Sequence, residues 1–299
     1  MSAWTQRDMP DLSGRIAVVT GGNVGLGFAS VEGLAARGAR VVLACRRVDS
    51  GHEAVDRIRS RVPNASVEVL RLDLAEAGSI SDFAKTFLAN YDRLDILMNN
   101  AGVVNHPERV HTPGGHELHI ATNHFGHFAL TGRLFDRLCN TKDARVVILS
   151  SAATRAGEIR FDDLDWRERT YDRLEAYGDS KLANLHFMVA LQRRFESHGG
   201  QALAVAAHPG LTGTERQQSV GVGGFVTRWL ASPVEHGVRS QLRAATDPGA
   251  RGGDYYGPRF SLRGPATNDR REVDALDDAV SERLWRISEE TTGVAYPSA

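Results

Sequence analysis

A tyrosine followed four residues on by a lysine can move a proton, and Tyr177-Gly-Asp-Ser-Lys181 is such a pair. On a helix this spacing sets both side chains on one face. A phenol of pKa about 10 is a poor acid–base catalyst at neutral pH. A lysine ammonium beside it favours the phenolate, so the pair predicts a Tyr177 pKa drawn towards neutrality. Such pairs are common on helix surfaces, and the rest of the chain must give this one its meaning.

The second chemical feature is the run Thr20-Gly21-Gly22-Asn23-Val24-Gly25-Leu26-Gly27, between a strand-like segment and a helical one. Bare backbone at that place lets a pyrophosphate sit at the helix N-terminus, where unpaired N–H groups and the helix dipole favour negative charge. The third lies at the end of the next apolar run, Ala44-Cys45-Arg46-Arg47. An enzyme preferring NAD usually carries an acid there to hold the ribose 2′-hydroxyl. Arg46 stands in that place, and a guanidinium can grip a 2′-phosphate bidentately. NADP(H) is therefore favoured, with NAD(H) as the alternative should Arg46 and Arg47 merely open a solvated helix.

Elements able to position these groups follow from the apolar pattern. Strand-like runs occupy 15–20, 39–44, 66–72, 93–99, 144–150 and 202–208, separated by helical patterns that reach Ala36 or span 50–61, 79–90, 115–139 and 175–198. Near-continuous apolar strands alternating with helices indicate a parallel sheet covered on both faces. Right-handed crossovers make it an α/β, doubly wound, Rossmann-type three-layer sandwich with about seven parallel strands. The 299 residues suffice for a single domain over 1–299, with an N-terminal arm (1–14), a segment 152–176 before Tyr177, a loop 211–233 and a C-terminal segment (247–299) where the sheet pattern fades. A helix is expected over 274–290, with Leu276, Val280, Leu284 and Trp285 towards one side, to cover the substrate mouth or pack on a partner subunit.

In these motifs and their order the chain resembles the short-chain dehydrogenase/reductase family, of the core type. The likeness runs through the glycine loop at 20–27, Asp73-Leu74, Asn99-Asn100-Ala101-Gly102, Asn123-His-Phe-Gly126, Ser150-Ser151, Tyr177 with Lys181, and His208-Pro-Gly-Leu-Thr-Gly-Thr214. Within the family it is similar to the retinol-dehydrogenase-like branch, in the phrases around 41–46 and 183–187 and in the extended segment 152–176. The resemblance implies that Tyr177 is the general acid in carbonyl reduction and the base in alcohol oxidation. Lys181 would hold the nicotinamide ribose, Ser151 would polarise the substrate carbonyl, and Asn123 would hold a water relaying protons to Lys181. Gly21, Asn23, Val24, Gly25 and Leu26 would cradle the phosphates, Asp73 and Leu74 the adenine, Asn100 and Gly102 the adjoining ribose, and Pro209, Leu211 and Thr214 the nicotinamide carboxamide. Many members that use NADP carry a basic residue where Val24 stands, which leaves Arg46 as the sole support for that cofactor.

These readings converge on a carbonyl reductase, a ketoreductase that interconverts a ketone or aldehyde and an alcohol. Val220, Val222, Phe225, Val226, Trp229 and Leu230 suggest an apolar lid and a lipophilic or aromatic small-molecule substrate. Phe161, Trp166 and Tyr171 are expected to shape a wall of the cleft or else to anchor a surface loop. The alternative is a non-catalytic protein of the same fold that senses NADP(H). A net charge of -1 gives no footprint for nucleic acid. The start lacks an apolar leader and no segment suits a membrane span, so a cytoplasmic protein is expected, consistent with only Cys45 and Cys139. Histidines at 106, 111, 116, 119, 124 and 127 are read as surface or core residues and no metal is expected. Family habit implies a homodimer through 115–139 and 175–198, unless 152–176 or the C-terminal segment blocks that packing.

Overall fold

Short β-branched runs become strands and the amphipathic stretches between them become helices, as the pattern requires. The computed structural model describes residues 4–210, 233–260 and 264–297. In chain order these give β1 (Ile16–Thr20), α1 (Gly25–Ala35), β2 (Arg40–Cys45), α2 (Val48–Arg61), β3 (Val67–Arg71), α3 (Ala77–Asn90) and β4 (Ile96–Asn99). There follow α4 (Leu118–Ile120), a π-helical turn (Ala121–Phe125), α5 (Gly126–Arg133), α6 (Phe135–Cys139), β5 (Arg145–Leu149), α7 (Arg173–Ser197) and β6 (Leu203–Ala207). The last are α8 (Val234–Thr246), β7 (Tyr255–Pro258), β8 (Ala266–Asn268), α9 (Arg271–Asp274) and α10 (Asp278–Thr292). The expected helix over 115–139 is therefore several pieces, joined through the π-helical turn.

Among the described residues one eight-stranded sheet runs in the order β3-β2-β1-β4-β5-β6-β7-β8. The first seven strands in sequence are parallel, as expected. β8 adds an antiparallel edge strand on β7 that sequence patterning did not reveal. Along each strand successive side chains serve opposite faces. Val18, Val42, Leu97, Val146 and Ile148 meet α3, α5 and α7 on one face. Val19, Leu43, Met98, Val147 and Leu149 meet α1, α2 and α8 on the other. Each such aliphatic side chain, fully buried, contributes roughly 1.5–3 kcal/mol, enough in sum to hold both helical layers on the sheet.

The C-terminal helix folds back on its own chain. Its N-cap Asp277 accepts from the Ala279 amide, so α10 begins after the position that periodicity suggested. Trp285 is 3% exposed and packs edge-on against Phe128 of α5, with Arg194 of α7 over its ring at 4.0 Å. Arg194 also grips Glu282 through two bonds of 2.8 and 2.7 Å. Beyond the helix the Tyr296 hydroxyl donates to the Phe128 carbonyl at 2.8 Å. The tail thus covers part of the α5 and α7 surface that family habit offers to a partner.

Two histidines sit beneath this helix. His124 Nε2 lies 2.9 Å from Ser288 Oγ, and His186 Nδ1 2.8 Å from Ser281 Oγ. Burial pushes both imidazoles down from 6.5, His124 to about 3 and His186 to about 4. The unfolded chain takes up these protons near pH 6.5 whereas the folded chain resists until far lower. Stability is therefore complete above that pH and declines as pH falls through the window. A shift to about 4 withdraws about 3 kcal/mol at its acid end. The midpoint of thermal unfolding should hold from pH 8 to 7 and drop steeply below about pH 6. His186→Gln should flatten the decline in scanning fluorimetry; an identical pH profile would contradict this account.

Candidate active site

The described cofactor segments and Ser151 leave the C-terminal ends of parallel strands, where open α/β sheets bind ligands. The glycine loop follows β1, Arg46 follows β2, Asp73 follows β3, Asn100 and Gly102 follow β4, Ser151 follows β5 and Pro209 follows β6. Leu211, Thr214 and the suggested lid over 211–233, apart from Pro233, lie outside the described residues.

The loop is built for close approach. Gly21 and Gly25 hold φ of 65° and 55°, a region that suits glycine. A Cβ on Gly27 would stand 2.2 Å from the Gly21 carbonyl oxygen, so no side chain fits there. Val24 is the N-cap of α1 and offers no side-chain cap, and no acid occupies the first turn. Amides left bare in this way suit an anion. The donor chemistry thus fits a dinucleotide phosphate. Arg46 is largely exposed at the same edge, its Nε 3.9 Å from Asp73 Oδ2. Asp73 also accepts from the Ala75 amide, and Leu74 is buried against Gly126. A further cation, Arg57 of α2, donates to the Asn23 carbonyl and lies over the Phe28 ring. Its distance in sequence from the loop hid it.

Asn100 has its amide engaged within the protein, donating to the Thr20 carbonyl at 2.8 Å and facing Gln241. The hub beside it is Thr20, whose hydroxyl accepts from the Asn100 and Ala101 amides, both at 2.9 Å. His127 completes the network, with Nδ1 2.9 Å from the Asn123 carbonyl and Nε2 2.9 Å from Thr20 Oγ1. A carbonyl only accepts, so Nδ1 carries the proton and the threonine hydroxyl donates to Nε2. Burial keeps this ring neutral, pushing it down to about 4. Motif reading found neither Thr20 nor His127 as organisers, because nothing in their spacing marks a fully paired hydroxyl.

Tyr177, Lys181, Ser151 and Asn123 come together around the start of α7. The Ser151 hydroxyl lies near enough to the Tyr177 phenol to favour its ionisation, and it accepts from the Ala153 amide at 3.2 Å. Lys181 Nζ donates to the Leu149 carbonyl at 3.1 Å and lies 5.7 Å from the Tyr177 ring centre. Gly102 lets both neighbours close in, since a Cβ there would meet Asn123 Oδ1 at 3.1 Å and Lys181 Nζ at 3.5 Å. Asn123 sits in the π-helical turn. It clamps Val103 through both backbone groups and donates to Ser180 Oγ at 2.9 Å, which in turn donates to the Tyr177 carbonyl. Burial raises the phenol above its ordinary value, against the lowering influence of the Ser151 hydroxyl. The expected drop towards neutrality is thus absent here: burial opposes the phenolate more strongly than its neighbours favour it. The same burial brings Lys181 down to about 8.

The segment 152–176 is fastened rather than loose. Trp166 is 1% exposed with φ 55°, under the Arg169 guanidinium at 3.5 Å. Arg169 bonds Asp179 of α7 at 2.6 Å, and Phe161 packs beneath Arg283 of α10. Trp166 and Phe161 therefore serve as anchors, while Tyr171 reaches His106 and His119 beside the site.

Comparison with known proteins gives the family and the fold. Residues 15–222 match the family model of short chain dehydrogenases. Mouse retinol dehydrogenase 12 is 39% identical over 293 residues, covering 95% of this chain and 88% of its own. Human retinol dehydrogenase 13 is 35% identical over 297 residues, covering 96% and 87%. Among solved structures, an uncharacterised protein of Mycobacterium paratuberculosis superimposes with a TM-score of 0.83 at 36% identity, covering 99% of this chain and all of that one.

Proposed function

The chain belongs to the short-chain dehydrogenase/reductase family of oxidoreductases, in its retinol-dehydrogenase-like branch, and we propose that it is a carbonyl reductase dependent on NADP(H) with Tyr177 as general acid and base. The observation that carries the reading is Lys181 Nζ standing 5.7 Å from the Tyr177 ring centre, with the Ser151 hydroxyl near enough to favour ionisation of the phenol. The glycine loop with Arg46, Asp73, Leu74, Asn100, Gly102 and Pro209 would hold the dinucleotide. A nicotinamide, when bound, supplies the hydride in reduction and accepts it in oxidation.

This chain's own groups handle the proton. A protonated Tyr177 gives its hydrogen to the carbonyl oxygen as negative charge develops there. Ser151 donates a second hydrogen bond to the same oxygen. Lys181, brought down to about 8, can return a proton to the phenolate near neutral pH. In the reverse direction the phenolate takes the alcohol proton.

The names of the relatives, two retinol dehydrogenases, favour a lipophilic carbonyl substrate, and the apolar residues of 211–233 agree. The test follows oxidation of NADPH and of NADH against retinal, steroid ketones, aromatic ketones and short aldehydes. NADPH-dependent turnover with a lipophilic carbonyl is expected, and no turnover across the panel would sink the proposal. A cytoplasmic setting belongs to the same proposal; Cys45 and Cys139 are free, and no described helix is long and apolar enough to cross a membrane.

Cofactor choice has its own test. Hydrogen bonds to charged groups contribute about 1.5–3 kcal/mol, so Arg46→Asp should weaken NADPH binding about 10- to 100-fold. Affinity for NADH should hold or improve. Fluorescence titration measures both, and an unchanged NADPH affinity would remove Arg46 from the 2′-phosphate site.

A further inference from the structure

Beside Tyr177 lies a buried carboxylate and imidazole that the proton chemistry does not use. Glu117 and His119 are both 0% exposed. Glu117 Oε2 accepts the His119 and Ile120 amides at 2.8 and 3.0 Å, and Oε1 lies 2.7 Å from His119 Nδ1. A carboxylate in this position keeps the ring proton on Nδ1, which leaves Nε2 as an acceptor. Nε2 takes the backbone N–H of His106 at 3.1 Å. The carbonyl of the same residue accepts the Tyr171 hydroxyl, also at 3.1 Å. His106 is thus gripped by both backbone groups, once from α4, which leads into the turn bearing Asn123, and once from the segment 152–176.

At the other end of the same strap Asn123 grips Val103 through its N–H and its carbonyl. Between the two grips Asn105 adopts φ 47°, a conformation that a free chain seldom holds. The His119 ring also meets the Tyr177 ring edge-on, centres 6.1 Å apart at 62°. Desolvating a carboxylate is costly unless several donors compensate it. So full burial is more than a three-residue helix such as α4 requires of its cap.

We propose that Glu117, His119 and Tyr171 form a positioning clasp that fixes the strap 103–106 and the ring of Tyr177, so that 152–176 governs turnover without touching the reacting atoms. The inference rests on the reading of Tyr177 as proton donor. None of the three is a catalytic residue. Their effect is on where the phenol and the strap stand, and a displacement of about 1 Å can cost on the order of a hundredfold in rate.

Two substitutions separate the clasp from simple packing. His119→Gln places an amide oxygen near the Nε2 position and can still accept the His106 N–H. His119→Asn places its amide near the Nδ1 position, keeps a donor for Glu117 and cannot reach His106. Both lose the imidazole. In the full-length protein, with the best carbonyl from the panel, His119→Asn should lower kcat about 10- to 100-fold. KM and the NADPH dissociation constant should stay within about threefold, too small a change to signal a lost contact. His119→Gln should retain most of kcat, and Tyr171→Phe should fall between. Hydrogen exchange at the His106 amide should quicken in His119→Asn and not in His119→Gln. Equal kcat losses in the two His119 variants, or losses that track a fall in Tm and in cofactor affinity, overturn the clasp. If the wild type turns over nothing, the functional reading fails separately and exchange at His106 decides the clasp alone: unchanged exchange in His119→Asn overturns it.

Discussion

Tyr177→Phe should lower kcat about a hundred- to ten-thousand-fold, the range that a positioned general acid contributes. The ring stays, so its edge contact with His119 and its packing near Lys181 persist. Only the hydroxyl, with its proton, is lost. NADPH affinity should remain within about threefold of wild type, because an interaction made only in the transition state leaves ground-state binding alone. Stopped-flow turnover beside a fluorescence binding curve reads both quantities. Wild-type turnover in this variant would take the proton transfer away from Tyr177. A large loss of cofactor affinity would give the hydroxyl a binding role instead.

Trp285→Ala should be the most damaging change far from the site. The indole is almost fully buried, meets Phe128, Phe187 and Tyr296, and carries the Arg194 guanidinium on its face. Truncating a buried tryptophan costs about 3–5 kcal/mol. In a protein of this size that lowers Tm by about 5–10 °C. Denaturant unfolding followed by circular dichroism checks the value. A loss below about 1 kcal/mol, the level of an ordinary surface change, would mean that α10 is held chiefly by its ion pairs.

The cofactor motifs and Ser151 could be read in the sequence because each sits at a strand end, where apolar periodicity stops and a short polar signature begins. Tyr177 and Lys181 on α7 were legible from their i,i+4 spacing. Asn123 was legible as a motif, but its setting was not. A π-helical turn inserts one residue in the helical register, and the pattern over 115–139 carries no mark of it. Thr20 and His127 were missed for a related reason: a hydrogen-bond hub is made by partners distant in sequence, Asn100, Ala101 and Asn123. The expected direction of the Tyr177 pKa followed from spacing alone. Burial reversed it, and burial is a property of the packed fold. Spacing likewise left Phe161 and Trp166 open between cleft wall and anchor, and the guanidinium partners Arg283 and Arg169 decided for anchors.

The docking of α10 has a consequence for biosynthesis. Residues 278–296 are made after everything they cover, and chains fold from the N-terminus as they are synthesised, at roughly 5–20 residues per second. Until that segment leaves the ribosome, Phe128 and Phe187 have no lid. The nascent chain therefore carries an aromatic face into the cell for a second or more. A premature stop anywhere before Trp285 leaves that face open for good and marks the product for chaperones and proteases.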